Sequence, residues 1–112
     1  MKIYHNPRCT KSRETLKLIQ EKGVEPEIVE YLKTPPSEAE LKRVLKMLDI
    51  PAEKLLRKGE QIFKDNFKGK KLSDAEWVKV MHENPKLIER PVVVKGDKAV
   101  IGRPPENVLD LL

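Results

Sequence analysis

Lys2-Ile3-Tyr4-His5-Asn6-Pro7-Arg8-Cys9-Thr10-Lys11-Ser12-Arg13 runs a short strand pattern into a breaker pair and out again into a helix. Ile3 and Tyr4 favour extended backbone, and Asn6-Pro7 ends it. Good helix formers fill residues 10–22, with Leu16 and Ile19 three apart and Gly23 where a C-terminal cap belongs. Residues 27–32 carry Ile28, Val29 and Tyr31 in partial alternation and read as a second strand. Strand, helix, strand makes a βαβ unit, which predicts a parallel pair with a right-handed crossover.

Thr34-Pro35-Pro36 breaks the chain. Ser37 with Glu40 three residues on is a capping-box pattern, and Leu41, Val44, Leu45 and Leu48 predict a helix over 38–48. Pro51 can open a short helix through Leu55 and Leu56, and residues 61–71 read as helix, then loop. Ser73 and Glu76 repeat the capping box ahead of Trp77, Val78 and Met81, in a helix ending near Asn84-Pro85. Pro91-Val92-Val93-Val94, the turn residues Gly96-Asp97 and Ala99-Val100-Ile101 then form an antiparallel hairpin pattern. Pro104-Pro105 open a last helix carrying Val108, Leu109 and Leu112. The order βαβ, helices, ββα predicts an α/β thioredoxin-like fold. The expectation is one domain over 1–112, with a helical insertion at about 35–88.

A chain of 112 residues suffices for one core without staples. Its 38% hydrophobic and 37% charged residues describe a solvated surface over a small aliphatic interior. No stretch approaches the roughly 18 to 20 apolar residues of a membrane span, and the N-terminus shows no apolar signal region. The expectations are a cytoplasmic location, no membrane and a monomer. The net charge of +5 comes from lysines spread along the chain among glutamates, which favours a solvated surface over nucleic-acid binding.

Cys9 is the only cysteine, so any disulfide it makes is intermolecular, and the chain suits a reducing compartment. A lone cysteine is often just a small buried hydrophobe. Here it ends the loop 5–8 and opens a helix, where unpaired N–H groups and the macrodipole favour a thiolate. Flanked by Arg8, Thr10 and Lys11, it has no apolar sequence neighbours to bury with and reads as reactive. Arg8 and Arg13 lie close in sequence, and Ser12 is placed to hydrogen-bond the thiolate one turn on. His5 is either a base or partner for Cys9 or a satisfied structural group, and His82 is expected to be solvated. Two distant histidines without a second cysteine argue against a metal site. In Cys9-Thr10-Lys11-Ser12, serine stands where a dithiol motif has its second cysteine, so an outside thiol must resolve any adduct on Cys9.

Arg57, Arg90 and Arg103 stand at structural punctuation. In a thioredoxin-like layout the helix N-terminus at Cys9 meets the residue before the hairpin, which makes Pro91 a cis-proline candidate and lets Arg90 and Arg103 converge on Cys9. Forked guanidinium donors suit a tetrahedral oxyanion and depress a thiol pKa, although isolated arginines commonly serve only in surface ion pairs.

His5-Asn6-Pro7-Arg8-Cys9-Thr10-Lys11-Ser12-Arg13, Tyr31-Leu32-Lys33-Thr34-Pro35-Pro36, Leu55-Leu56-Arg57-Lys58, Leu87-Ile88-Glu89-Arg90-Pro91-Val92-Val93-Val94 and Gly102-Arg103-Pro104-Pro105-Glu106 resemble, in order, the glutaredoxin-linked arsenate reductase family. That family also includes the Spx-type regulators. The resemblance implies a thioredoxin-like fold and a cytoplasmic oxidoreductase that reduces arsenate with Cys9 as nucleophile. It implies Arg57, Arg90 and Arg103 as oxyanion-binding residues, with His5, Ser12, Arg13 and Pro91 in support. It further implies no bound cofactor, glutathione as co-substrate and glutaredoxin as partner. Arg8 and Thr10 depart from the small residue and glycine around the cysteine of the best-known reductases. The alternatives are a glutathione-linked thiol reductase for another substrate and an Spx-like redox regulator binding RNA polymerase. Many such regulators use a Cys-x-x-Cys switch, which Ser12 precludes.

Overall fold

Four strands form one mixed sheet in the order β2-β1-β3-β4, described for residues 1–112 by a computed structural model. Lys2–His5 is β1, Thr10–Glu21 α1 and Glu27–Glu30 β2; β1 and β2 are parallel, with Ile3 opposite Ile28 and Tyr4 opposite Val29. Val92–Lys95 is β3 and Lys98–Ile101 β4; β3 runs antiparallel to both β1 and β4, with Ile3 opposite Val93 and Val93 opposite Val100. This is the thioredoxin-like arrangement that the element order predicted.

Met1–Thr34 and Arg90–Leu112 make up one compact unit, and Pro35–Glu89 a second. In the first unit Ile3, Ile19, Val93, Val108 and Leu111 form the core, bringing α1 and the C-terminal segment onto one face of the sheet. Fully burying side chains of this kind stabilises by roughly 1.5 to 3 kcal/mol each. Gly23, at φ 79°, closes α1 as the sequence suggested: its N–H bonds to Gln20 O at 2.9 Å and that of Val24 to Ile19 O at 3.3 Å.

The second unit contains Glu38–Leu48 (α2), Gln61–Asn66 (α3) and Asp74–Glu83 (α4), with short 3₁₀ turns at Ala52–Leu55 and Pro85–Leu87. Both expected N-caps form: Ser37 accepts from Glu40 N–H, and Ser73 with Glu76 makes the full reciprocal capping box. Leu41, Val44 and Leu45 of α2 and Trp77, Val78 and Met81 of α4 are the buried faces. The rings of Phe63 and Phe67 each lie with their centroid 6.0 Å from that of Trp77.

Three expectations change. β2 stops at Glu30, because the chain turns there, with Lys33 and Thr34 N–H both bonded to Glu30 O. Pro105–Leu111 is a 3₁₀ helix rather than an α-helix, although Val108 and Leu111 still point into the core. His82 is not free in solvent; its Nδ1 is 2.8 Å from Pro36 O, and the ring is half-buried. No helix is long and apolar enough to cross a membrane.

Candidate active site

Asn6-Pro7-Arg8-Cys9 forms a tight turn between β1 and α1, closed by Cys9 N–H donating to Asn6 O at 3.0 Å. Asparagine first and proline second suit such a turn, and Asn6 Oδ1 also accepts from Arg8 N–H at 3.0 Å. Arg13 reaches back over the loop, donating to Pro7 O at 3.4 Å and Thr10 Oγ1 at 3.3 Å. Cys9 therefore occupies the N-cap position of α1, in extended conformation, while its carbonyl accepts Arg13 N–H at 3.0 Å. A capping side chain ordinarily accepts from the N–H groups two and three residues on. Here those are Lys11 and Ser12; the Cys9 side chain makes no capping hydrogen bond of regular geometry, but both N–H groups act on the sulfur electrostatically and lower its pKa.

Cys9 is only 8% exposed, contrary to the inference from its polar sequence neighbours. Charged residues distant in sequence enclose it. Arg103 Nη2 lies 3.4 Å from Cys9 Sγ, and Arg103 Nε donates to Arg90 O at 2.7 Å. Burial pushes the Cys9 thiol up, but the Ser12 N–H, the Arg90 charge, the Lys11 N–H and the Arg103 charge together outweigh it and hold the pKa below its ordinary value. The first turn of α1 carries no acidic residue to compete for the helix terminus.

Ser12 serves differently from the expectation. Its hydroxyl is fully buried and engaged by His5 Nδ1 at 2.6 Å and by Asn6 N–H at 3.0 Å, so its backbone rather than its side chain faces the sulfur. His5 likewise makes no hydrogen bond to Cys9; its bond to Ser12 ties the end of β1 to the first turn of α1. Burial lowers the His5 pKa, Glu30 opposes this and Arg13 adds to it, so the ring is neutral at neutral pH. The sequence marked His5 and Ser12 correctly as neighbours of the loop, but the backbone donors carry no side-chain signal beyond their place at a helix start.

Arg90–Pro91 is a cis peptide bond, and so is Arg103–Pro104, which the sequence reading did not single out. Arg57 lies in the second unit, where its Nη2 pairs with Glu60 at 2.8 Å and its Nη1 donates to Lys86 O at 3.4 Å. No cluster of three or more His, Cys, Asp or Glu side chains is placed to hold a metal ion. Chemically, the site offers a partly shielded, anionically biased sulfur under two guanidinium groups.

A family model described as the ArsC family matches residues 4–111. The arsenate reductase of Haemophilus influenzae is 47% identical over 98% of this chain and 97% of its own length. The uncharacterized Escherichia coli K12 protein YfgD is 52% identical over all of this chain and 96% of its own. The solved arsenate reductase from Vibrio cholerae superposes with a TM-score of 0.95 at 46% identity, covering 99% of this chain and 96% of that one. Because that family model spans nearly the whole sequence and the relatives match over nearly their full lengths, the chain belongs to the ArsC family.

Proposed function

We propose that this chain is an arsenate reductase, an oxidoreductase that converts arsenate to arsenite through Cys9. The observation that carries the reading is the N-cap sulfur with Arg103 Nη2 at 3.4 Å. The Cys9 thiolate attacks arsenic, forming a sulfur–arsenic(V) bond, while a hydroxyl ligand of arsenate takes a proton from solvent and leaves as water. Arg90 and Arg103 neutralise the oxyanion as it approaches and the extra charge that develops on it. Glutathione thiolate then attacks the Cys9 sulfur. A sulfur–sulfur bond forms, the sulfur–arsenic pair stays on arsenic, and arsenite leaves. A glutaredoxin dithiol reduces the Cys9–glutathione disulfide and restores the thiol.

The external thiol is required because the position that would hold a resolving sulfur is Ser12, whose hydroxyl is committed to His5 and Asn6. The same dependence on reducing thiols supports a cytoplasmic reaction. Arg57 joins as a third oxyanion ligand on the family resemblance. The test incubates purified protein with arsenate, glutathione and glutaredoxin and measures arsenite against Cys9→Ser. Arsenite production that the variant lacks is expected; none above the variant overturns the assignment.

A further inference from the structure

Gly102 differs from the other four glycines of the chain. Gly23, Gly69 and Gly96 have positive φ and open space around them, and Gly59 also has nothing within 4 Å of where a side chain would begin. Gly102 has no left-handed backbone to justify glycine, yet a Cβ there would lie 2.5 Å from Thr15 Oγ1, 2.8 Å from Pro91 Cγ and 3.0 Å from Thr15 Cγ2. Thr15, fully buried on α1, is carried by the same rigid helix that presents Cys9 at its N-cap. Its hydroxyl donates to Lys11 O at 2.8 Å and reaches Gly102 O at 3.4 Å. On the other side, Gly102 N–H donates to Pro91 O at 2.8 Å. The residues that follow and precede these contacts are Arg103 and Arg90.

The segment around Gly102 cannot easily absorb a push. Asn107 Nδ2 donates to both Ile101 O at 3.2 Å and Arg103 O at 3.1 Å, and Arg103 N–H bonds to Ile101 O at 2.9 Å. A side chain at 102 must therefore move α1 with Cys9, or the Pro91 segment with Arg90, or the tied piece that carries Arg103.

We propose that Gly102, wedged between Thr15 and Pro91, is a positioning residue that sets where Arg90 and Arg103 stand relative to the Cys9 sulfur, with Asn107 keeping the Arg103 segment rigid. The inference rests on Cys9 being the nucleophile, and it assigns a reason for glycine that lies in spacing rather than in backbone freedom. Displacing reacting groups by about 1 Å can cost on the order of a hundredfold in turnover.

The experiment measures the rate of Cys9 alkylation by iodoacetamide against pH, and arsenate turnover, for folded Gly102→Ala, Gly102→Ala with Thr15→Ala, and Asn107→Ala. Gly102→Ala is expected to alkylate several-fold more slowly at neutral pH, with its profile displaced to higher pH, and to lose about ten- to a hundredfold in kcat/KM. Adding Thr15→Ala removes two of the three close contacts and is expected to recover most of the alkylation rate. Asn107→Ala inserts no atoms, so it remains informative if Gly102→Ala does not fold; its alkylation is also expected to slow at neutral pH. Wild-type profiles in folded Gly102→Ala or in Asn107→Ala, or no recovery in the double variant, overturn the proposal. Alkylation needs no arsenate, so failure of the wild-type protein to reduce arsenate while the variants show these shifts would refute the proposed function alone.

Discussion

Replacing Arg103 by alanine removes the guanidinium that lies 3.4 Å from Cys9 Sγ, together with the Nε bond of 2.7 Å to Arg90 O. The two losses have different weights. Arg103 is an exposed residue, so water can take over the Arg90 carbonyl, and the cost to the resting fold stays within about 1 kcal/mol. The contact to the sulfur matters only when the sulfur is charged. A hydrogen bond to a charged group is worth about 1.5 to 3 kcal/mol net, and bare Coulomb attraction at this distance spans about 1 to 5 kcal/mol between dielectric constants of about 80 and 20. Solvent around Arg103 and the remaining support from the Ser12 N–H and Arg90 argue for the low end, near 1.5 kcal/mol. That corresponds to about a tenfold fall in the thiolate-to-thiol ratio. Mass-spectrometric timing of iodoacetamide alkylation across pH 5 to 10, with thermal melts as a folding control, reads both quantities. The expected result is an alkylation profile displaced to higher pH with a nearly unchanged melting temperature. Arg103→Lys should fall between, since the charge remains but the fork that holds Arg90 O does not. A profile for Arg103→Ala that overlays the wild type refutes electrostatic activation from this side.

The depressed thiol pKa also makes stability depend on pH. Because the folded value lies below the unfolded one, the stabilisation is fully present above the unfolded thiol's value of about 8.5 and is lost as pH falls through the folded value. Urea denaturation under reducing conditions should therefore show wild type gaining on Cys9→Ser as pH rises through that window; a constant or shrinking difference contradicts it. Ser12→Ala leaves His5 Nδ1 and Asn6 N–H without their buried partner and should cost about 1 to 3 kcal/mol, seen as a lower urea midpoint. An unchanged midpoint would mean that the pair does not brace the loop.

Features set within a few residues were legible in the sequence. The Ser73–Glu76 capping box, the Asn6-Pro7 turn and Gly23 at the end of α1 each depend on neighbours no more than four positions away. The parallel β1–β2 pair and the β3–β4 hairpin followed because their connections are short, and few topologies then join the two halves. What the sequence hid was tertiary. Cys9 looked exposed among Arg8, Thr10 and Lys11, yet Arg103, 94 positions away, helps to enclose it. Ser12 was placed near the sulfur correctly, but the competition for its hydroxyl among His5, Asn6 and Cys9 is decided by the approach of β1 to α1. His82 sat on a polar face and still found the Pro36 carbonyl, a chain break whose path no periodicity describes. The shortfall of a regular α-helix at Pro105–Leu111 is of the same kind: spacing announced the apolar residues but not the winding that seats them.

The pairing of β1 with β3 joins Lys2 to Val94 across the whole Pro35–Glu89 segment. Closing so long a loop is costly in chain entropy, and only once it closes do Arg90 and Arg103 arrive beside the sulfur. A half-folded chain with α1 formed thus has the local Ser12 and Lys11 N–H groups but lacks the share of thiol activation that the two arginines supply. That share of the activation arrives only with completion of the sheet, so the full reactivity of Cys9 reports that β3 has docked on β1.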